Sequence, residues 1–567
     1  MLLSTSLAFS QKSIVVCADS IPQALLAKKN GLHKNAKDTI DLQTQLKQFV
    51  TFAQSQGYLA FSIDSVTENA SSFYIYPYIG KYYHSASLLL SDDDALFIEN
   101  TPLQKWVNNH LIRLTDYSTF TSQTLDYLEN NGYPFAQISL INPDFQQDTV
   151  SIVSIEKNRL ITFDSVILKG NVKIKNSFIF PYLGLRKNKP YREKIFRQVP
   201  RRLNDLTFAS VIRPAGVEFV GDKAYLYLFL EKQKVNQFDG YLGIVPVSSQ
   251  NGKVMFTGEV NLSLQNIFHI GEKLQLSWKC PESYSQFLNV SADFPYLFRT
   301  PFGVAAAFLL DKKDTNYLNM NYKVALQYSF GGNNNLRTYF DYTSSSLLSP
   351  QSITITPTDS LSFDFHKTMY GIRFSYRLLD NIRYPQRGIV VSGDFSVGSR
   401  TVEKNREVAD ALYQNIDLMV VNYQLEGELA GYVPLHKRWV WVVGSRGGWK
   451  GGTQQLSNDL FKIGGTQSLQ GFDEMSLRAS SYLIGYTEIR FRFARLSYLN
   501  LFVNGAWYER VVAQAPYFKD YPWGFGLGAN FDTKAGLFYI SYALGQQQNS
   551  PISFKTGKIH FGLAVHF

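Results

Sequence analysis

The sequence predicts a mixed fold, with three small α/β modules followed by a 16-stranded antiparallel transmembrane β-barrel. Up to about residue 235, segments of helical periodicity alternate with short pairs of strands. From residue 236 onward, alternating apolar and polar segments follow one another between clusters of Gly, Asn, Asp, Ser and Pro. With 567 residues, among them 42 Phe and 35 Tyr, the chain is also too long for one globular core.

The N-terminal part repeats a unit of about 75 residues. Predicted helices at 43–56 and 122–131 end at Gly57-Tyr58 and Gly132-Tyr133, and strands follow both pairs. The third unit is predicted to contain, in order, strand 162–168, helices 176–182 and 192–206, and strands 209–219 and 223–231. The predicted domains are modules at 12–77, 78–157 and 158–235, and a barrel at 236–567.

The C-terminal part predicts strands that cross a membrane. No stretch reaches the roughly 18 uninterrupted apolar residues that a transmembrane helix needs, so any span has to be built from strands. Sixteen strands are predicted to start near residues 237, 253, 271, 285, 302, 319, 336, 361, 388, 411, 438, 480, 499, 522, 534 and 557. An even number is what a bacterial single-chain barrel requires.

The last strand shows two distinct faces. Its lipid face is predicted to carry Ile559, Phe561, Leu563, Val565 and Phe567. A soluble β-sandwich or propeller needs about the same alternation, but it gives no reason for the aromatic residues or for the terminal Phe567.

Composition and motifs argue against several other classes of protein. The net charge of +10 comes from Lys and Arg scattered among acidic residues, which predicts no nucleic-acid partner. The eight histidines are scattered and no nucleophile motif is present, so we predict no enzyme activity, no metal site and no cofactor. Cys17 and Cys280 are expected to be inert thiols. Residues 1–11 are predicted to be the remnant of a signal peptide.

One loop and its flanking strand carry the resemblance to a known family. The superfamily of BamA, TamA and the two-partner-secretion transporters has a signature that is similar to Phe461, Gly464-Gly465, Leu469-Gln470-Gly471-Phe472 and Glu488-x-Arg490. Two further sequence features of the family, a Pro-x-x-Gly turn and a C-terminal signal, are similar to Tyr384-Pro385-Gln386-Arg387-Gly388 and to the terminal Phe567. The α/β modules resemble the POTRA domains of outer-membrane assembly proteins, although taken alone they also fit generic α+β domains.

The resemblance implies that this loop folds back into the barrel lumen. Gly471 lets the tip turn without a Cβ clash, and Phe472 supplies an anchor for the inner wall. Two residues depart from the family pattern, since Gln470 replaces its arginine and Asn504 replaces its aspartate. A neutral amide pair can still bridge loop and wall. We therefore hypothesise that Gln470 hydrogen-bonds Asn504; the alternative is that each amide meets water in the lumen.

The resemblance also implies a function, which is the insertion or assembly of proteins in a bacterial outer membrane, most like the TamA type. The modules would lie in the periplasm, and the partners would be unfolded outer-membrane protein clients, the lipid bilayer, and a periplasmic or inner-membrane assembly partner. Gly240 and Gly243 are expected to weaken the first strand. That strand meets the last one, which contains Phe561 and Phe567, at a seam able to open sideways.

Two alternative functions stay open at this point. A two-partner-type secretion pore would export one dedicated protein, and that family usually has two POTRA domains and a plug helix. A complete first module therefore favours assembly, whereas a long helix near 21–30 favours secretion. A porin or structural anchor predicts instead that deleting residues 12–235 leaves function intact.

Overall fold

A computed structural model gives the fold of most of the chain. It describes residues 12–18, 22–26, 31–33, 35–89, 101–106, 111–140, 149–246, 254–280, 285–349, 362–382, 384–452, 454–465, 468–494, 497–513, 516–533, 536–548, 552–554 and 557–566. The predicted signal remnant at 1–11 and Phe567 lie outside these residues. The chain divides into two compact units, of which the first comprises Met1–Asp164, Lys187–Phe196 and Phe219–Ala224, and the second the remainder.

The first module is a four-stranded sheet with one α-helix. Its elements are β1 (Lys12–Val16), β2 (Asn35–Ala36), α1 (Thr39–Ser55), β3 (Ser62–Glu68) and β4 (Ser72–Tyr78), with the sheet order β2-β1-β4-β3. The helix begins before the predicted residue 43 because Asp38 caps it, accepting a hydrogen bond from the Asp41 amide at 2.7 Å. Phe49 and Ala53 of α1 pack on Phe61 in the core.

The second module repeats this arrangement. Its elements are β5 (Ser85–Leu89), β6 (Leu111–Arg113), α2 (Leu114–Asn130), β7 (Gln137–Leu140) and β8 (Thr149–Glu156), with the sheet order β6-β5-β8-β7. β1 pairs in parallel with β4, and β5 pairs in parallel with β8, so the two sheets share one topology. α2 begins well before the predicted residue 122, because Leu114 and Phe120 extend its buried face.

The third module has the predicted order of strand, two helices and two strands. Its elements are β9 (Thr162–Gly170), α3 (Asn176–Leu183), α4 (Glu193–Asn204), β10 (Ala209–Val220) and β11 (Lys223–Lys232). α3 ends at Gly184, whose φ of 70° is the left-handed conformation of a helix C-cap. The sheet order is β10-β11-β9, so β10 lies at an edge.

The remaining strands form a closed antiparallel barrel. They are β12 (Gln237–Pro246), β13 (Val254–Gln265), β14 (Lys273–Cys280), β15 (Gln286–Phe294), β16 (Phe302–Lys313), β17 (Tyr317–Gly331), β18 (Asn334–Leu347), β19 (Phe365–Leu379), β20 (Gly388–Val402), β21 (Met419–His436), β22 (Trp439–Gly451), β25 (Ser481–Arg492), β26 (Tyr498–Arg510), β27 (Phe518–Asp520), β28 (Trp523–Thr533), β29 (Gly536–Gln546) and β30 (Lys558–His566). A separate hairpin, β23 (Phe461–Ile463) with β24 (Leu477–Ala479), lies in the loop after β22.

The barrel has the predicted sixteen strands within the described residues. β27 and β28 both pair with β26, so they are two segments of one strand. The tenth strand begins at Met419 rather than near residue 411, because Asp410–Tyr413 forms a short 3₁₀-helix. Leu412 and Tyr413 of that helix pack on Phe363 and Phe365 instead of joining the wall.

The two faces of the wall differ in accessibility as a membrane barrel requires. In β17, Val324 and Leu326 point outward and are 54% and 55% exposed, whereas Ala325 and Gln327 point inward and are buried. In the last strand Ile559 and Phe561 are also exposed, in agreement with their predicted lipid face. Among the described residues, no helix has both the length and the apolar character needed to cross a membrane.

The turn between β13 and β14 packs on helix α3. The Lys175 amide donates to the His269 carbonyl at 2.8 Å, and Asn266 Nδ2 donates to the Lys173 carbonyl at 3.1 Å. Gly271 lies against the Phe178 ring, with a φ of 73° and with space for no side chain, since a Cβ there would be 2.1 Å from a ring carbon. Within the second unit, this turn therefore ties α3 to the barrel.

We expect Gly271→Ala to loosen this contact. The Cβ overlaps the Phe178 ring and the positive φ disfavours alanine, which together cost roughly 1 kcal/mol or more. The rate of thermolysin cleavage within α3 should rise several-fold. Gly216→Ala on β10 is the matched control, because no described heavy atom lies within 4 Å of its Cβ. Equal cleavage rates in both variants would contradict the conclusion that the Gly271 contact ties α3 to the barrel.

Candidate functional site

The loop between β22 and β25, residues 452–480, carries the predicted family signature, and we call it the lumen loop. Its β23–β24 hairpin pairs Phe461 with Ala479 and Ile463 with Leu477. Beyond the hairpin, Gly464, Gly465 and Gly471 have φ values of 112°, 94° and 101°. These left-handed positions are accessible to glycine at little cost, and they let the chain reverse within a few residues.

The tip of the lumen loop is anchored by apolar side chains. Leu469 is fully buried and Phe472 is 7% exposed. They share a cluster with Ile484 of β25 and with Ala506 and Tyr508 of β26. Burial of a Leu or Phe side chain contributes about 1.5–3 kcal/mol, so these two residues give the tip a substantial hold on the wall. The structure places Phe472, the predicted anchor, in this cluster.

The tip rests on a seat of glycines, which we define as Gly524 of β28 and Gly545 of β29. A Cβ on Gly524 would lie 2.5 Å from the Gln470 carbonyl oxygen, and a Cβ on Gly545 would lie 2.5 Å from the Gly471 carbonyl oxygen. In return, a Cβ on Gly471 would lie 2.7 Å from the Leu544 carbonyl oxygen. The backbone of the tip thus contacts the wall at distances that only glycine permits.

Asn504 of β26 completes the contact between tip and wall. It is 4% exposed, and its Nδ2 donates to the Gln470 carbonyl at 3.2 Å and to the Gly524 carbonyl at 3.1 Å. The two residues singled out from the sequence therefore meet, and the acceptor that the structure shows is the main-chain oxygen of Gln470. The glycine seat explains this, because it brings the backbone of residue 470 within reach of the amide.

A second contact, at the base of the lumen loop, was not predicted. Asp459 is 6% exposed and forms ion pairs with Lys367, Arg400 and Lys450, which lie on β19, β20 and β22. Nothing in the sequence indicated these ion pairs, because a single aspartate in a loop and isolated basic residues in strands are ordinary surface features. Only the barrel brings them together.

The seam between the first and last strands is short. β12 and β30 share two residue pairs within their described residues, Gln237 with His566 and Phe238 with Val565. The neighbouring pair β13–β14 has continuous pairing from Gly258–Cys280 to Gln265–Lys273. Closure of the barrel therefore depends on its periplasmic end.

The predicted seam residues occupy different positions around this junction. Gly240 lies directly against β13, where a Cβ would be 2.5 Å from the Glu259 carbonyl oxygen. Gly243 pairs with Thr257 of β13. Phe561 is 67% exposed and pairs with Ile540 of β29. Phe567 lies outside the described residues.

These features define a class of protein: a transmembrane β-barrel with N-terminal α/β modules and a loop folded into its lumen. Residues 262–567, more than half of the chain, match the Omp85 superfamily domain. The chain therefore belongs to the Omp85 superfamily. It is an outer-membrane protein with its N-terminal modules in the periplasm, and it acts in protein insertion or transport, not as an enzyme.

Two solved CdiB structures share this fold at low sequence identity, and a BamA structure is a weaker match. CdiB from Escherichia coli is 13% identical, with 93% of this chain and 98% of that chain covered and a TM-score of 0.55. CdiB from Acinetobacter baumannii is 15% identical, with 86% and 90% covered and a TM-score of 0.53. BamA from Haemophilus ducreyi lacking POTRA domains 1–3 is 15% identical, with 86% and 100% covered and a TM-score of 0.42. No curated protein sequence gives a significant match.

Gly545→Ala should displace the tip from its seat. The added Cβ would overlap the Gly471 carbonyl, and overpacking of this kind costs about 1–3 kcal/mol. We expect amide hydrogen exchange at residues 469–472 to become about tenfold faster. Gly485→Ala on β25 is the control, because its Cβ has no described neighbour within 4 Å. Unchanged exchange in Gly545→Ala would show that the tip does not rest there.

A double-mutant cycle distinguishes the main-chain contact from an amide pair between side chains. If Asn504 acts through the Gln470 carbonyl, Asn504→Ala destabilises the protein equally in the presence and absence of the Gln470 side chain. The coupling in the free energy of unfolding with Gln470→Ala should then be below about 0.5 kcal/mol. A larger coupling would support the side-chain pair that the sequence suggested.

Proposed function

We propose that this protein inserts or assembles other proteins in the outer membrane, most like the TamA type, by opening the barrel at its seam. The observation that carries the proposal is that only two residue pairs join the described parts of β12 and β30. Unpaired backbone groups are costly in hydrocarbon, so a nearby client strand can lower the free energy by pairing with either exposed edge. Folding and burial of the client would supply the driving force.

The periplasmic modules support this proposal over a secretion pore. The first module, from Lys12 to Tyr78, has a helix packed on a four-stranded sheet. In the segment near 21–30, the described residues form the short 3₁₀-helix Gln23–Leu26. A first module of this α/β kind was the feature expected of an assembly protein, and the described residues between Lys12 and Tyr78 support it.

The modules also offer strand edges to extended clients. β10 is twelve residues long and has β11 as its one neighbour in the sheet order. Ile212 is 59% exposed on this strand, and Val220 is 55% exposed. An unfolded polypeptide can add to such an edge by β-augmentation, in which main-chain hydrogen bonds give affinity without requiring one sequence. Clients would in this way be held in the periplasm before they reach the seam.

The alternative, a two-partner-type secretion pore, requires a client to pass through the lumen. The lumen loop contacts the wall at its tip and at its base, so it would have to move before an extended chain could pass. The seam route needs no such displacement. The two functions therefore differ in which part of the barrel has to open, and a cross-link at the seam separates them.

The test is to lock the seam. In a background with Cys17→Ser and Cys280→Ser, the directly opposed residues Phe238 and Val565 are replaced by cysteine. The native protein is depleted, and outer-membrane and secreted proteins are quantified. We expect several barrel proteins to be lost, and to be restored by the reduced but not by the oxidised variant, because only the reduced seam can open.

The control lock joins Leu276 and Val290, which are opposed on β14 and β15 away from the seam. It should restore the barrel proteins whether oxidised or reduced. Loss of a single secreted protein, restored equally by the oxidised seam variant, would instead identify a dedicated secretion pore. Restoration of several barrel proteins by the oxidised seam variant would contradict assembly through the seam.

A further inference from the structure

The base of the lumen loop contains a buried charge cluster, which we define as Asp459, Lys367, Arg400 and Lys450. Their side chains are 5%, 9%, 0% and 10% exposed. Lys367 pairs directly with Asp459 Oδ1, and Lys450 Nζ lies 3.1 Å from the same oxygen. Arg400 Nη1 lies 3.9 Å from Oδ2. The loop thus supplies one carboxylate and the wall supplies three cations.

The main chain around Asp459 is held as firmly as its side chain. Lys450 Nζ also donates to the Asp459 carbonyl, and Arg400 Nη2 donates to the Gln454 carbonyl at 2.6 Å. The wall cations therefore bind two points of the loop backbone in addition to the carboxylate. Movement of the loop base would break all of these contacts together.

The neighbouring residue Asn458 extends the contact to further strands. Its Nδ2 donates to Ser345 Oγ at 2.7 Å and to the Phe363 carbonyl at 2.9 Å. Asn319 Nδ2 donates to the Asn458 carbonyl at 2.9 Å. Because Asn319 lies on β17 and Ser345 on β18, the turn Ser457–Asp459 contacts five strands of the wall in all.

The ionisation of Asp459 depends on the three neighbouring cations. Burial by itself would raise the pKa of Asp459, but the three cations outweigh it and hold that pKa well below its ordinary value. The carboxylate is therefore ionised at any physiological pH. Removal of one partner from a buried ion pair leaves the others poorly solvated, which is far more costly than the loss of an exposed pair.

The tip of the loop shows the opposite character. There the Asn504 amide donates to a main-chain carbonyl, Leu469 and Phe472 make apolar contacts, and the ion pair of Asp473 with Lys558 is exposed. No ion pair joins Gln470 to Asn504, since both side chains are neutral. The most deeply buried ion pairs between lumen loop and wall, those of Asp459, thus lie at the base of the loop. The nearby pair of Lys462 with Asp311 of β16 has the opposite polarity and is less buried.

We propose that Asp459 is the positioning residue that locks the lumen loop inside the barrel, through its buried contacts with Lys367, Arg400 and Lys450. Release of the loop then requires these ion pairs to break, whereas the tip can leave its seat at smaller cost. The lock controls whether the lumen is closed, and it does so independently of whether the protein assembles clients through the seam.

The experiment compares Asp459→Asn with Asp473→Asn in the full-length protein. Asp473 is in the same loop, but its ion pair with Lys558 is exposed, with 70% of the aspartate side chain accessible. Amide hydrogen exchange is measured across residues 454–463, and ion conductance is measured in planar bilayers. Asp459→Asn should raise the exchange rates about 100-fold and increase the frequency of conducting openings. Asp473→Asn should change both by less than about threefold.

A second, milder variant changes a residue of the barrel wall, so that the proposal can still be tested if Asp459→Asn does not fold. Lys367→Met leaves Asp459 with two cations, so the barrel should fold, and we expect exchange at 454–463 to rise by an intermediate factor. Folding of each variant is checked by its heat-modifiable migration in detergent gels. Unchanged exchange and conductance in folded Asp459→Asn, or an equal effect of Asp473→Asn, would overturn the proposal. Neither readout depends on assembly activity.

Discussion

The need to pair every backbone N–H and C=O within the membrane constrains this structure more than any other factor. Sixteen strands satisfy it around nearly the whole circumference, with long antiparallel registers between most neighbours. At the seam two residue pairs are present between the described parts of β12 and β30. The barrel therefore closes at its periplasmic end, where its shortest strand junction lies.

The contacts of the lumen loop are distributed unevenly with respect to this weak junction. Its tip reaches β28 and β29, which precede the last strand. Its base is fixed to strands between β17 and β22. The buried ion pairs of Asp459 thus lie away from the seam, whereas the glycine-lined contact of the tip and the exposed Asp473–Lys558 ion pair lie nearer to it. This distribution allows the seam side of the barrel to change while the loop base stays in place.

Much of the fold follows from local sequence patterns, and the site does so only in part. Strict alternation predicted the barrel strands, and Gly57 and Gly132 marked the helix ends. The start of α1 was missed because one cap, Asp38, outweighs the weak periodicity of the residues after it. The Asp459 contacts could not be predicted, since they join residues as far apart as 367 and 459. The acceptor of Asn504 could not be predicted either, because it depends on the absence of side chains at Gly524 and Gly545.

Hydrogen exchange at single amides of β12 in a lipid bilayer tests most directly whether the barrel is weakest at its seam. In an antiparallel sheet, alternate amides of this strand point toward β13 and toward β30. Between residues 239 and 246, we predict that the amides facing β30 exchange at least about 100-fold faster than those facing β13. Equal protection of both sets would mean that the first and last strands are paired along their length, and it would contradict the account.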